Sequence, residues 1–152
     1  SKRSSMTGYR IGFVAGRKDL LAPFKKVQTQ IHSGVPTFIQ DAAAAALSDE
    51  AHVAEHREEY RRKRDALVRS LKAIGLEAVY AEATFYIWAK APEGYDSVQF
   101  SQRLLSDARI NTVPGRVLSQ DTTAGDQFVR FALVPNLRRT REACFRIEDL
   151  EI

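Results

Sequence analysis

The chain changes its hydrophobic pattern at Gly75. Before this residue, a long charged segment from about Ser48 to Ile74 has helical spacing. Ser48 or Asp49 is suited to cap its start, and Gly75 is suited to the left-handed position that follows a helix end. After Gly75, segments rich in β-forming residues alternate with one-sided helical patterns, in the order strand, helix, strand, strand, helix. This order predicts a small two-layer α/β unit in which helices cover a sheet.

The alternating part is divided by turn residues into five segments. Strands are predicted within residues 77–91, 110–113 and 128–134, and helices over 97–107 and 138–150. Asp96 or Ser97 is suited to cap the first of these helices. The polar residues 118–127 are predicted to form a mobile loop.

The part of the chain before the long helix has a different pattern. Residues 9–16 (YRIGFVAG) are a short apolar run bounded by glycine, which predicts a buried strand. Residues 19–31 have helical spacing, with Pro23 expected in the first turn. Pro36 is predicted to open a second helix that runs through an alanine-rich stretch and ends near Leu47.

These two patterns predict a domain boundary inside the long helix, around residues 61–70. The first domain is then residues 1–60 and the second is residues 61–152. No internal repeat suggests a different division.

The composition is that of a globular protein with a modest positive charge. Of 152 residues, 44% are hydrophobic and 28% are charged, so the chain can bury a core. A formal charge of +4 permits anionic ligands but does not require nucleic acid. No apolar run approaches the roughly 20 residues that span a bilayer, no signal-peptide pattern is present, and the single Cys144 gives no internal disulfide. We therefore expect a cytoplasmic protein with no membrane and no nucleic-acid partner.

The first twelve residues carry the most specific motif of the chain. They read SKRSSMTGYRIG, in which Arg10 follows Lys2 by eight positions and lies between two glycines. This string resembles the cofactor-lysine signature of class I and II aminotransferases, which are pyridoxal-phosphate enzymes of fold type I. The resemblance implies pyridoxal 5'-phosphate as the cofactor. It also implies an α/β fold that is the C-terminal part of such a transferase, with a remnant of the large domain, a long inter-domain helix and a small two-layer domain.

The resemblance implies roles for three residues of this string. Lys2 would hold the cofactor aldehyde as a Schiff base and, once displaced by substrate, would move the α-proton. Arg10 would pair with the cofactor phosphate, which a guanidinium can hold through two parallel hydrogen bonds. Ser5 would offer its hydroxyl to the same phosphate, although a loop serine also commonly bonds its own backbone. The plain alternatives are a solvated lysine and a surface arginine.

Arg130 stands inside an apolar strand pattern near the C-terminus. An arginine there is costly to bury without an anionic partner. Alternation also allows it to lie on the solvent face, with Val129 and Phe131 on the other. The segment resembles the V-R-[IF]-[AS] strand of the same family, whose arginine holds the substrate α-carboxylate. The resemblance therefore implies Arg130 as the substrate-binding residue.

Further segments match landmarks of the family. Residues 83–88 (ATFYIW) look like a strand of the branch that contains diaminopimelate-type aminotransferases. Residues 113–115 (VPG) match the start of a loop that lies over the active site. The family commonly continues with Phe-Gly, where this chain has Leu118 and Ser119. Residues 32–40 resemble a stretch at the family's dimer interface, with a plain connection between helices as the alternative.

The resemblance implies that the chain is one part of an enzyme. The family lysine lies well inside the chain, so a lysine in second position predicts a C-terminal fragment. We expect little or no activity from it alone, because the family's partner of the cofactor nitrogen, its stacking aromatic and its phosphate turn all precede the lysine. The intact enzyme would be a homodimer that transfers an amino group between an amino acid and a 2-oxo acid. The open alternatives are a related lyase or decarboxylase with the same cofactor, and a non-catalytic ligand-sensing domain of a regulator.

Two other patterns have ordinary explanations. His52, Glu55 and His56 match the inverted H-x-x-E-H order of some zinc sites, but no third ligand can be named. A polar helix surface explains them, and we predict no metal site. The charged run at residues 57–65 interleaves acids with bases at i,i+4 spacing, which predicts a solvated helix face.

Overall fold

The computed structural model describes residues 1–80 and 82–151. The chain divides into two compact units, the first formed by residues 1–57 and the second beginning at Glu58. A long helix, α3 (Ala51–Ala73), contributes residues to both units. Within the described ranges, no helix is both long enough and apolar enough to cross a membrane.

The second unit contains a four-stranded antiparallel sheet. The strands lie in the order β1–β2–β4–β3. Their bounds are Ala78–Val79 for β1, Tyr86–Lys90 for β2, Val113–Pro114 for β3 and Phe128–Ala132 for β4. Each segment predicted to be extended in this unit overlaps a strand, although β3 shares only Val113 with the predicted residues 110–113. Residues 77–91 contain two, because β1 turns back and pairs antiparallel with β2.

Helices cover one face of this sheet. They are the later part of α3, α4 (Ser97–Ala108) and α6 (Leu137–Glu148). Buried and less buried side chains alternate along β2 and β4, as expected for strands with one covered face. The core consists of Leu67, Val68, Leu71, Leu76, Ile87, Ala89, Phe100, Leu104, Val129, Phe131, Leu133, Cys144 and Ile147. The prediction of a small two-layer α/β unit is confirmed.

Asp49 and Gly75 define the two ends of α3, as the sequence predicted. Asp49 Oδ1 accepts a hydrogen bond from the Ala51 N–H at 2.8 Å, which satisfies a free donor of the first turn. Gly75 has a φ of +80°. The Leu76 N–H donates back to the Leu71 carbonyl oxygen at 2.9 Å, which closes the C-terminal turn.

Asp96 caps α4 in a reciprocal arrangement. Its carboxylate accepts from the backbone N–H groups of Val98 and Gln99, both at 2.8 Å, while the Gln99 side chain accepts from the Asp96 N–H at 3.1 Å. Alanine cannot accept these bonds, so Asp96→Ala is expected to lower the free energy of unfolding by about 1 kcal/mol. Asp96→Asn keeps an accepting oxygen and is the matched control. Urea unfolding of both variants tests this, and equal stabilities would contradict the capping role.

The charged run on α3 forms ion pairs but is not uniformly solvated. Arg62 Nε lies 3.4 Å from Glu58 Oε1, and Lys63 Nζ lies 2.7 Å from Glu59 Oε1. Lys63 is only 4% exposed, and its ammonium lies 4.8 Å from the centroid of the Tyr60 ring. The prediction of a solvated face is therefore wrong at Lys63, because its ammonium finds both an anion and an aromatic ring there.

The first unit consists mainly of helices with little buried surface. It contains α1 (Lys18–Ile31), α2 (Thr37–Ser48), the start of α3 and a short 3-10 turn at Thr7–Tyr9. Both predicted helices are confirmed. Val53 is its one buried residue. Its large exposed apolar side chains include Phe13, Val14, Leu20, Phe24, Val27, Ile31, Phe38 and Leu47.

Two predictions for the first unit are wrong. Residues 9–16 form no strand, and residues 11–17 have no regular structure. A strand needs a neighbouring strand to satisfy its backbone groups, and residues 1–57 contain no strand with which residues 9–16 could pair. Pro23 is the sixth residue of α1 rather than part of its first turn, because the helix begins at Lys18.

The segment predicted to be a mobile polar loop contains regular structure. A short helix, α5, spans Thr122–Gly125 within this segment, and a 3-10 turn at Gly115–Val117 comes directly before it. The Asp121 carboxylate accepts from the N–H groups of Thr123 and Ala124 at 3.0 and 3.2 Å. This cap orders a stretch whose polar composition had suggested an irregular loop.

Candidate functional site

The first eleven residues form a closed loop. The Ser1 hydroxyl donates to the Ile11 carbonyl oxygen, and the Met6 N–H donates to the Ser1 carbonyl oxygen at 2.9 Å. Lys2 follows Ser1 and Arg10 precedes Ile11, so the first bond brings the backbones at Lys2 and Arg10 close together. Both side chains are exposed.

Ser5 and Arg10 share an uncommon backbone conformation. Their φ angles are +53° and +52°, in the left-handed region that few non-glycine residues occupy. Arg10 Nη1 donates to the Thr7 carbonyl oxygen at 3.0 Å. The Ser5 hydroxyl lies 3.5 Å from His56 Nδ1. Both residues therefore stand at bends of the loop that carries Lys2.

The two histidines of α3 make contacts of another kind. His52 Nδ1 lies 2.8 Å from Asp49 Oδ2, and this hydrogen bond holds the pKa of Asp49 below its usual value. The rings of His52 and His56 meet edge to face with their centroids 5.6 Å apart. Among residues 1–80 and 82–151, no group of three or more His, Cys, Asp or Glu side chains is arranged to hold a metal.

Arg130 lies on the face of the sheet that the helices leave uncovered. Its partners across the sheet are Trp88 on β2 and Val113 on β3, and Val79 on β1 is opposite Trp88. Directly opposed residues point to the same side of a sheet, so these four side chains form a row across it. The neighbours of Arg130 along β4 are buried on the other side.

The guanidinium of Arg130 has unused hydrogen-bonding capacity. Its carbon lies 4.2 Å from the centroid of the Tyr86 ring. Its Nε is buried and has no hydrogen-bond partner among the described residues. Leaving such a donor unpaired costs about 1–3 kcal/mol, so buried polar groups nearly always have a partner. A carboxylate is a suitable partner, because the planar guanidinium can bind it through two parallel bonds.

An apolar groove lies on the same face of the sheet as Arg130. Its volume is about 370 Å³. It is lined by Val79, Trp88, Gly115, Leu118, Ser119, Ala124, Gly125 and Phe128, none of which carries a charge. Trp88 belongs both to this lining and to the row that contains Arg130.

Two glycines allow the wall of the groove to pack closely. A Cβ atom on Gly115 would lie 2.3 Å from the Gly125 carbonyl oxygen and 2.7 Å from the Phe128 carbonyl oxygen. A Cβ on Gly125 would in turn lie 2.7 Å from the Gly115 carbonyl oxygen. Larger residues would push the two backbone segments apart, so only glycine fits at both positions.

A polar cluster that the sequence did not suggest holds the same wall. The buried Ser97 hydroxyl donates to Asp126 Oδ1 at 3.1 Å, and the Arg116 guanidinium forms an ion pair with Asp126 Oδ2. The Arg116 N–H also donates to the Ser97 hydroxyl at 3.4 Å. These residues lie 10 to 29 positions apart, so no local pattern could have indicated that they meet.

A comparison with known families identifies the chain. The family described as aminotransferase class I and II matches residues 1–147. The chain belongs to this family. Class I and II aminotransferases depend on pyridoxal 5'-phosphate, and their known structures have the fold to which this chain corresponds in part. The resemblance seen in the first twelve residues and in the strand of Arg130 is confirmed at the level of the family.

Aminotransferases resemble the chain over nearly its full length. The LL-diaminopimelate aminotransferase of Aquifex aeolicus is 38% identical in an alignment of 153 positions, which covers 100% of this chain and 39% of that protein. The glutamate-pyruvate aminotransferase AlaC of Escherichia coli is 38% identical in an alignment of 147 positions, which covers 94% of this chain and 35% of that protein. The structure of an aromatic aminotransferase from Pyrococcus horikoshii has a TM-score of 0.87 at 36% identity, covering 97% of this chain and 40% of that one. The chain thus spans 35% to 40% of the length of these aminotransferases.

The N-terminal loop suits the family cofactor in its chemistry. Lys2 offers a primary amine, Ser5 a hydroxyl and Arg10 a guanidinium, all on exposed side chains. A Cβ atom on Gly8 or Gly12 would meet no atom within 4 Å, so open space lies beside the loop. This donor set fits a ligand that carries both an aldehyde and a phosphate.

The ion pair in the groove wall makes part of the stability depend on pH. The hydrogen bond from Arg116 holds the pKa of Asp126 below its usual value of 3.8. Because the pKa of Asp126 is lower in the folded state, its carboxylate contributes to the free energy of unfolding. This contribution is fully present above pH 3.8 and is lost as the pH falls through the folded pKa. Wild type is therefore expected to be more stable than Asp126→Asn at pH 7, with the difference shrinking below about pH 4. Urea unfolding at several pH values measures it, and a difference that grows on acidification would contradict this assignment.

Proposed function

We propose that the chain is the C-terminal part of a pyridoxal-phosphate-dependent aminotransferase subunit. The intact enzyme would transfer an amino group between an amino acid and a 2-oxo acid. Support comes from the family match over residues 1–147 and from the aminotransferase names of its relatives. Residues 1–60 would belong to the large cofactor-binding domain, and residues 61–152 would form the small domain.

The unpaired Nε of Arg130 is the observation that carries this proposal. A buried guanidinium N–H without a partner calls for an anion, and the surrounding strand matches the family's carboxylate-binding strand. Arg130 would hold the substrate α-carboxylate through two bonds. Bidentate binding fixes the orientation of the substrate and lowers the entropy cost of reaching the reactive geometry.

The residues of the N-terminal loop would hold the cofactor and move a proton. When bound, the cofactor supplies an aldehyde for the amino group and a ring that accepts electrons from the α-carbon. Lys2 would bond the aldehyde and, once the amino group of the substrate has taken its place there, its released amine would carry the proton on and off the α-carbon. Arg10 would hold the phosphate through charge-assisted bonds, and the Ser5 hydroxyl would add a further bond.

We extend the proposal to the assembly and location of the protein. The intact enzyme would be a cytoplasmic homodimer with a role in amino-acid biosynthesis, and residues 32–40 would lie near its subunit interface. Phe38 in this stretch is 71% exposed, which leaves apolar surface for a partner to cover. Light scattering of the assembled enzyme measures its oligomeric state, and a monomer at working concentration would contradict the dimer.

A chimera tests the proposed activity. The chain replaces the matching C-terminal part of the Escherichia coli glutamate-pyruvate aminotransferase, to which it is 38% identical. We expect the chimera to transfer amino groups only when both an amino acid and a 2-oxo acid are supplied. The 152-residue chain alone, with added cofactor, is expected to show no turnover. A folded chimera that binds cofactor but releases ammonia or carbon dioxide without a 2-oxo acid would indicate a lyase or decarboxylase instead.

A further inference from the structure

We propose that the groove on the uncovered sheet face binds the side chain of the substrate, and that the substrates are amino acids with apolar side chains. This rests on the proposed function only in taking Arg130 as the carboxylate-binding residue. Arg130 is directly opposite Trp88, which lines an uncharged groove on the same face of the sheet.

The position of the groove supports this pairing. Trp88 is directly opposite Arg130 across the sheet and also lines the groove. Phe128 lines the groove as well, two residues before Arg130 and therefore on the same face. The groove thus begins at the immediate neighbours of Arg130. A ligand that bonds Arg130 with its carboxylate can extend its chain over Trp88.

The chemistry of the lining selects the ligand. The polar groups of its side chains are the Ser119 hydroxyl and the Trp88 indole N–H, and no lining residue is charged. A second carboxylate or an ammonium at the far end of a substrate would lose its hydration there without gaining a partner. An alkyl chain would instead bury apolar surface. The uncharged lining therefore does not suit diaminopimelate, because the far end of that molecule carries both a carboxylate and an ammonium.

The wall of the groove is already formed without a ligand. The close packing of Gly115 against Gly125 fixes the two ends of the segment that carries Leu118 and Ser119. The bonds of Asp126 to Ser97 and Arg116 hold the same segment against the start of α4. A preformed groove spares the cost of ordering a loop upon binding. Leu118, which is 44% exposed, is then the residue best placed to set the specificity of the groove.

The single tryptophan of the chain reports on this site. Trp88 fluorescence of the full 152-residue chain is titrated with hexanoate, with adipate and with hexan-1-ol. We expect a saturable change with hexanoate. Adipate, which adds a second charge, and hexan-1-ol, which lacks the carboxylate, are each expected to bind at least about tenfold more weakly. Equal affinities for hexanoate and adipate, or no response to hexanoate, would overturn the proposal.

Substitutions at two neighbouring positions test the role of Leu118. Leu118→Lys places a cation in the groove and is expected to shift the preference toward adipate by at least about tenfold. Val117→Lys adds the same charge at a neighbour that is 67% exposed and does not line the groove, so its preference should stay that of wild type. Circular dichroism shows whether both variants are folded. A preference unchanged by Leu118→Lys, or changed equally by both, would refute the assignment.

A second pair of variants tests the carboxylate partner. Arg130→Met is expected to remove the preference for hexanoate over hexan-1-ol, while Arg138→Met, at an exposed α6 position, is expected to keep it. Retained preference in Arg130→Met would overturn the proposal. The chimera separates this inference from the proposed function. An active chimera with a chain that favours adipate would refute only the groove, and an inactive chimera with a chain that favours hexanoate would refute only the transferase activity.

Discussion

Lys2→Ala is expected to lower the kcat of the assembled enzyme by about 10³-fold or more. The amine of Lys2 is proposed both to bond the cofactor aldehyde and to move the α-proton. Positioned proton transfer alone contributes about 10² to 10⁴ in rate, and alanine has no group that can replace it. The measurement is single-turnover and steady-state amino-group transfer by the chimera that carries this chain.

The control for this variant is Lys18→Ala. Lys18 is an exposed lysine at the start of α1 in the same unit, and its loss should leave kcat within a factor of about two of wild type, as expected for a surface change. Borohydride reduction with added cofactor gives a second readout, since it should label the peptide that contains Lys2. A Lys2→Ala chimera with wild-type kcat, or a label on another lysine, would contradict the role of Lys2.

Phe100→Ala is expected to lower the free energy of unfolding of the second unit by about 3–5 kcal/mol. Phe100 is 0% exposed, lies in the core under the sheet and meets the Tyr95 ring edge to face at 6.2 Å between centroids. Alanine would leave a cavity that close-packed neighbours cannot fill. Since a domain of this kind is stable by only about 5–15 kcal/mol, this loss is a large share of the total.

Phe145→Ala is the matched control for this core substitution. Phe145 is a phenylalanine on α6 of the same unit but is 66% exposed, so its truncation should change stability by no more than about 0.5 kcal/mol. Urea unfolding followed by circular dichroism compares the two variants. Equal losses in the free energy of unfolding would contradict the burial of Phe100 in the core.

Local features of the sequence determined the ends of the helices and the spacing of the strands. Asp49, Gly75 and Asp96 act on backbone groups within a few residues of themselves, so their effects are encoded where they stand. The alternation along β4 likewise required only the period of a strand. The family was also recognisable from short strings, because the residues around Lys2 and Arg130 are specific in type and order.

The same local reasoning failed where a structure depends on distant neighbours. Residues 9–16 have the composition of a strand but meet no other strand within their unit, so their backbone stays irregular. Lys63 appeared to belong to a solvated run, yet the fold places its ammonium beside Tyr60 and Glu59.

Only the tertiary structure decided what surrounds Arg130. The pattern of β4 left open whether this arginine lies in solvent or has a binding role. Alternation assigns its side chain to one face of the sheet, but it does not say which residues of the other strands lie beside it on that face. The antiparallel register brings Trp88 opposite Arg130 and sets Tyr86 beneath its guanidinium, while leaving Nε without a partner. The groove wall depends in the same way on contacts between distant residues, namely Gly115 with Gly125 and Ser97 with Asp126. Hydrogen bonds and close packing of this kind arise only when the chain folds back on itself, so no short stretch of sequence encodes them.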